Sequence, residues 1–190
     1  PKTDGLINSI RWEQMRNGIQ DFEYLYLLEE KLQNIKTNIG SSLSWLDTSQ
    51  RSVEIASKVV KKITKYTINP EVLYRAKKQI IDEILDLDKS PNLIVQTNPI
   101  EGSDIVSEST TVKIYGWTDT ETEITINDKL SSVSSEGIFI DSIYIHSNSD
   151  SIKITATNAQ GTKTIFRYFN PTDITDNIAN GSHNIPDEHM

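Results

Sequence analysis

Arg11, Trp12 and Glu13 place a guanidinium, an indole and a carboxylate side by side near the start of the chain. Those are groups that can line a sugar pocket: an indole face stacks on the apolar face of a pyranose while the charged neighbours hydrogen-bond its hydroxyls. The same residues have a purely structural reading. Arg11 and Arg16 can pair with Glu13, Asp21 or carboxylates of a neighbouring surface, with Trp12 packed on that surface. Elsewhere, Tyr115, Trp117 and Tyr144 could form an aromatic platform for sugar, although alternation along their strands also makes them core or interface residues. Asp119, Glu121 and Asp128 lack the dense Asp-x-Asp spacing of a calcium loop and read as a solvated rim. His183 and His189 with Asp187 and Glu188 lie in a pattern-free tail. The sequence has no cysteine, hence no thiolate nucleophile and no sulfur-ligated metal. No residue is singled out as catalytic, no metal site is assigned, and no cofactor is implied.

Charge narrows the partners. A formal net charge of −8 argues against nucleic acid or an anionic membrane as a partner, because both need a basic patch to neutralise phosphates or headgroups. No apolar run reaches the roughly 18 to 20 residues that a membrane-spanning helix needs.

The elements that must position these residues fall into two regions, giving an α+β chain with helices and strands segregated along the sequence. Residues 1–90 read as helical. Over 9–39 the apolar residues keep helical spacing in two stripes, Trp12, Met15, Ile19, Phe22 and Tyr26 on one side and Leu25, Leu28, Leu32, Ile35 and Ile39 on another. Ser9 is placed to cap this helix and Gly40 to end it. Trp45 and Leu46 are expected as lids on the core. A second helix is expected over 49–66, and a third from the Asn69-Pro70 start signal to about Leu87, with Leu73, Ala76, Ile80, Ile81, Ile84 and Leu87 turned inward. These three segments form a helical hairpin or small bundle around the second stripe. The first stripe finds no partner among them. Four large apolar side chains left in water forgo roughly 6 to 12 kcal/mol, which predicts a covering surface.

Asp88 to Asn92 is a polar break, after which the period becomes two. Residues 91–170 carry short alternating runs at 93–97, 110–117, 122–127, 137–145, 151–157 and 163–169, separated by Asn98-Pro99, Asn127-Asp128, Glu136-Gly137 and Gln160-Gly161. Such a series with no helix between the strands predicts an antiparallel β-sandwich. Residues 171–190 are polar and pattern-free and read as a disordered tail.

Two stretches carry resemblances. NPIEGSDIV, TTVKIYGW, TEITINDK, SEGIFIDSI and SIKITATNAQGTKTIF, in that order, resemble the immunoglobulin-like modules appended to bacterial extracellular glycosidases and surface proteins. SIRWEQMRNGIQDFEYLYLLEE resembles the C-terminal signature S-[IL]-R-[WL]-E-x-[LM]-R-x-G-[IL]-x-D-[YF]-E-Y of bacterial glycoside hydrolases related to the β-N-acetylgalactosaminidases. Gln20 and Phe22 stand where glutamate and tyrosine are commoner in that family.

The second resemblance implies that the 9–39 helix is the last helix of a (β/α)8 catalytic barrel, that residues 1–8 are the remnant of the preceding loop, and that Arg11, Trp12 and Glu13 face a glycan site in the parent enzyme. It implies substrate-assisted hydrolysis of N-acetylhexosamine-containing glycans, with the catalytic acid supplied upstream by a residue that has no counterpart here. The expected partners are the missing barrel of the same parent chain, possible glycan, or a second copy docked through Trp12, Met15, Ile19 and Phe22; the expected location is extracellular or at a bacterial cell surface. A competing expectation is a complete, non-enzymatic carbohydrate-binding or cell-surface adhesion protein that dimerises through its helical half.

Overall fold

The computed structural model describes residues 10–62, 65–67, 69–105, 109–146 and 151–171. They form a helix-rich N-terminal region followed by an antiparallel β region of two main sheets, the α+β arrangement expected. The expectations for Ser9 as a cap and for the tail beyond Pro171 lie outside the described residues.

Helix α1 (Ile10–Ile39) stops at Gly40, whose φ of +82° is the left-handed conformation that glycine adopts without a Cβ penalty. A short 3₁₀ turn (Gly40–Leu43) then leads to α2 (Gln50–Ser57). Here the expected helix over 49–66 is corrected. It ends at Ser57 and gives way to β1 (Val60–Lys62) and β2 (Lys65–Tyr66), an antiparallel pair closed by a Thr67 N–H to Val59 carbonyl bond of 2.9 Å. The run from Val59 to Thr67 is rich in β-branched and aromatic residues, which lose rotamer freedom in a helix and fit a pleated strand.

Helix α3 (Pro70–Asp86) begins as its sequence dictates. Asn69 has an extended backbone, its Oδ1 accepts from the Glu71 N–H at 3.0 Å, and Pro70 occupies the first turn. Asn69→Ala is expected to cost about 1 kcal/mol, measurable by urea unfolding. Leu28, Leu32, Leu43, Leu46, Ile55, Ala76, Ile80 and Ile84 bury together as the helical core, with Trp45 packed against it. Leu73, expected inward, is instead exposed.

In the β region one sheet runs β3 (Leu93–Asn98), β5 (Ser109–Thr118), β8 (Ile138–His146), and the other runs β10 (Gly161–Tyr168), β9 (Ser151–Asn158), β6 (Glu123–Ile126), β7 (Lys129–Ser131). A small parallel pair joins β4 (Asp104–Ile105) to β11 (Asn170–Pro171). The β6–β7 turn takes positive φ at Asn127 (46°) and Asp128 (63°), the two-residue hairpin conformation that matches strand twist and that asparagine and aspartate tolerate. Alternating residues of both sheets, among them Val95, Val112, Ile114, Ile124, Phe139, Ile152 and Ile154, close on one core.

The two regions do not behave as beads on a linker. Strand β3 is buried on both faces: Leu93 and Val95 point into the β core, while Ile94 joins the helical core. On β5, Val112 and Ile114 face the β core, whereas Tyr115 stacks on Trp45 (ring centroids 6.1 Å apart) and Trp117 packs on the helical core. The three-stranded sheet is therefore a shared wall. The break at 88–92 is tied down as well. Asp119 accepts from Ser90 Oγ (2.8 Å), the Asn92 N–H (2.8 Å) and Asn92 Nδ2 (3.1 Å). Although its partial burial opposes ionisation, these donors hold its carboxyl below the ordinary range.

Candidate functional site

Among the described residues, the densest constellation of charged groups lies in the seam between the helices and the sheets. Helix α2 supplies Arg51 and Glu54, three residues apart and so on one face. Helix α3 supplies Glu83, the loop after β3 supplies Glu101, and β10 supplies Arg167. Arg51 grips Glu83 in a fork, Nε donating to Oε2 at 2.7 Å and Nη2 to Oε1. Its remaining Nη1 donates to Glu54 Oε2 at 2.8 Å and to Glu101 Oε2. Glu101 also accepts from Lys58 Nζ at 3.2 Å, and its own N–H donates to Glu54 Oε1 at 3.2 Å. Arg167 donates to the Val95 carbonyl at 3.2 Å and the Phe166 carbonyl at 3.3 Å, while its Nη1 stands 3.9 Å from Glu101. Its Nε is buried without a partner.

The electrostatics follow from this packing. Burial disfavours the Arg51 charge, but the hydrogen bond and charge of Glu83, with Glu101 and Glu54 behind them, more than offset it and raise its pKa. Burial likewise pushes Glu83 towards its neutral form, and the Arg51 fork overrides this, bringing its pKa from 4.5 to about 2. Glu101 is lowered too: its burial is outweighed by Arg51, Arg167 and Lys58. Arg167 is shifted downward, by burial first and then by the like charge of Arg51.

This chemistry is that of a clamp. A general acid at neutral pH needs a carboxyl with a raised pKa and a proton to give; Glu83 and Glu101 are held ionised by cations and have none. The adjacent cavity, lined by Leu28, Leu32, Arg51, Glu83, Lys163 and Arg167 among others, encloses about 80 Å³. A groove between α1, α2, β1 and α3 holds about 180 Å³ and is lined almost wholly by apolar atoms. Both fall below the roughly 300 to 1,000 Å³ of ligand pockets.

The expected site residues Arg11, Trp12 and Glu13 lie on the first turns of α1. Their side chains, with those of Met15 and Ile19, fall outside the described residues. Phe22 and Tyr26, the other members of their stripe, stand 67% and 60% exposed, whereas Leu28 and Leu32 are buried. Tyr115 and Trp117 do not form a sugar platform with Tyr144. They face the helices, Trp117 Nε1 donating to the Glu136 carbonyl at 3.1 Å, and only Tyr144 is open. Asp128 pairs with Lys153 at 2.8 Å. Among the described residues no group of three His, Asp or Glu side chains is arranged to hold a metal ion. Asp82 and Glu83 are adjacent on α3, where Asp82 pairs with Lys78 on the surface and Glu83 belongs to the clamp.

Sequence reasoning did not find the clamp. Its one local trace is the Arg51-x-x-Glu54 spacing in α2; Glu83, Glu101 and Arg167 are joined to it only by the fold.

No family model matches the chain, and no curated protein matches it. Among solved structures, an engineered protein is similar at 14% identity and a TM-score of 0.28 over 53% of this chain and 26% of its own. The endo-β-1,4-mannanase of Thermotoga petrophila is similar at 9% identity and a TM-score of 0.27, over 55% of this chain and 24% of its own. The chain thus spans about a quarter of the length of either structure.

Proposed function

We propose that this chain is the non-catalytic C-terminal part of a secreted bacterial glycoside hydrolase. In this reading the outer stripe of α1 packs on a (β/α)8 catalytic barrel, and the helical region holds an immunoglobulin-like β module in fixed orientation to it. The parent enzyme acts on glycans containing N-acetylhexosamine, and the chain by itself carries no activity. The observation that supports this most is the division of α1: Leu25, Leu28 and Leu32 serve the core, while Phe22 and Tyr26 on the other side are open. The length and specificity of the signature over residues 9–30 point the same way. The two antiparallel sheets with a common core are compatible with an immunoglobulin-like module, and the ion clamp would fix its orientation.

The test compares this chain with the product of its whole reading frame. Hydrolysis of a chromogenic N-acetyl-β-galactosaminide is expected from the whole product and not from the chain. Phe22→Asp should leave the isolated chain within about 0.5 kcal/mol of its original stability, as an exposed substitution does. In the whole product it should lower the melting temperature of the catalytic region by several degrees. Equal neutrality in both, or a reading frame encoding no barrel, would sink the proposal.

A further inference from the structure

The outer face of the four-stranded sheet carries an arrangement that the clamp and the α1 stripe leave unused. On β10 the alternation that buries Arg167 and half-buries Lys163 and Ile165 turns Thr162, Thr164, Phe166 and Tyr168 outward in a row. The row covers six residue steps, about 20 Å at strand rise. Phe166 and Tyr168 are 44% and 51% exposed, and their rings lie 6.2 Å apart with planes inclined by 25°. Beside them, β9 presents the directly paired Thr157, Thr155, Lys153 and Ser151. Thr155 and Thr164 share a hydrogen bond of 3.0 Å, Thr157 and Thr162 one of 3.2 Å. Each such pair has two hydroxyl donors and uses one, so every pair keeps a donor and acceptor lone pairs for something outside.

From this we infer that the outer face of β10 and β9 is a binding strip for a neutral polysaccharide, with Phe166 and Tyr168 stacking on sugar rings and the threonine hydroxyls meeting ring hydroxyls. The composition of the strip selects this ligand over others. A polyanion would require cations, and the cation among these side chains, Lys153, is paired with Asp128 at 2.8 Å. A protein partner is bound best through a desolvated apolar centre with a polar rim; here the aromatic pair sits at one end of a row of hydroxyls. A glycan chain offers partners for both parts of the strip, apolar ring faces for its aromatic end and hydroxyls for its threonine end. The strip lies on a different sheet from Tyr115, Trp117 and Tyr144, and the inference does not depend on what covers α1.

The experiment uses the full chain against immobilised hexasaccharides of cellulose, xylan, mannan and chitin, followed by titration calorimetry of any that bind. Binding of at least one is expected. Phe166→Ala/Tyr168→Ala should weaken it at least tenfold, while Tyr144→Ala, which removes a more open ring elsewhere, should leave it within twofold. Thr155→Val/Thr164→Val should weaken it by a smaller factor; this pair keeps the test decisive if the aromatic double variant fails to fold. Failure of all four glycans to bind overturns the inference. So does binding that none of the strip variants weakens, or a dimer in sedimentation that the ring substitutions abolish, since the rings would then be covered by a second copy.

Discussion

Arg51→Ala is expected to lower the stability of the chain by about 3 to 5 kcal/mol, the cost of removing one partner from a buried ion cluster and leaving Glu54 and Glu83 without their cation. Three carboxylates, Glu54, Glu83 and Glu101, lean on this one guanidinium. The effect has a pH signature that simple loss of packing lacks. With its pKa brought from 4.5 to about 2, Glu83 contributes stability that is fully present above pH 4.5 and is lost as the pH falls through about 2. Glu101, also lowered, acts in the same direction. In Arg51→Ala these carboxyls can protonate at a higher pH, which relieves the uncompensated charge. The gap between the original chain and the variant should thus be widest near pH 7 and narrow towards pH 3. Urea unfolding at the two pH values measures it, and a gap independent of pH would show that the cluster acts by packing alone. Glu101→Gln should cost less, and the double variant less than the sum of the two, because both substitutions break the same contact.

Gly116→Ala should be similarly damaging for a different reason. Gly116 lies opposite Phe139 across β5 and β8, and the Phe139 ring rests over the bare backbone where a side chain would stand. A Cβ there falls inside van der Waals contact with three atoms of the ring. Phe139 is buried among the other members of the β core, so its ring moves only at the expense of their packing. Overpacking of this kind costs about 1 to 3 kcal/mol, and evicting a buried phenylalanine about 3 to 5; a loss of about 3 kcal/mol or more is expected by thermal or urea unfolding. Adding Phe139→Leu, which withdraws ring atoms from the occupied space, should recover part of it. If the double variant is less stable than Gly116→Ala alone, the steric account fails.

What could be read in the sequence was what is local. The two stripes of α1, the Asn69-Pro70 start of α3 and the six main strands are written in side-chain period and in residues with special backbone preferences, and these need no knowledge of distant partners. The segment after Ser57 was misread because its apolar residues satisfy both periods; Val59, Val60 and Ile63 fit a helical face, and only their β-branching argues for strand. Alternation showed that Tyr115 and Trp117 share a face of β5, but a period says nothing about what covers a face, and the helices cover this one. The clamp was invisible for the same reason. Its members come from two helices, a loop and a strand, and no spacing records that they meet. Leu73 belongs to an apolar stripe of α3 yet is exposed, beside the groove formed with Tyr24 and Val59.

The double burial of β3 bears on how such a chain could be recombined. A β module joined by a true linker can be moved between proteins as a unit, because its surface is finished on every side. Here a junction placed in residues 88–92 would leave Ile94, Tyr115 and Trp117 without the helices that cover them and Glu101 without Arg51. The β region is thus not a transferable unit: any gene rearrangement that carried it elsewhere intact would have to carry the helical region with it.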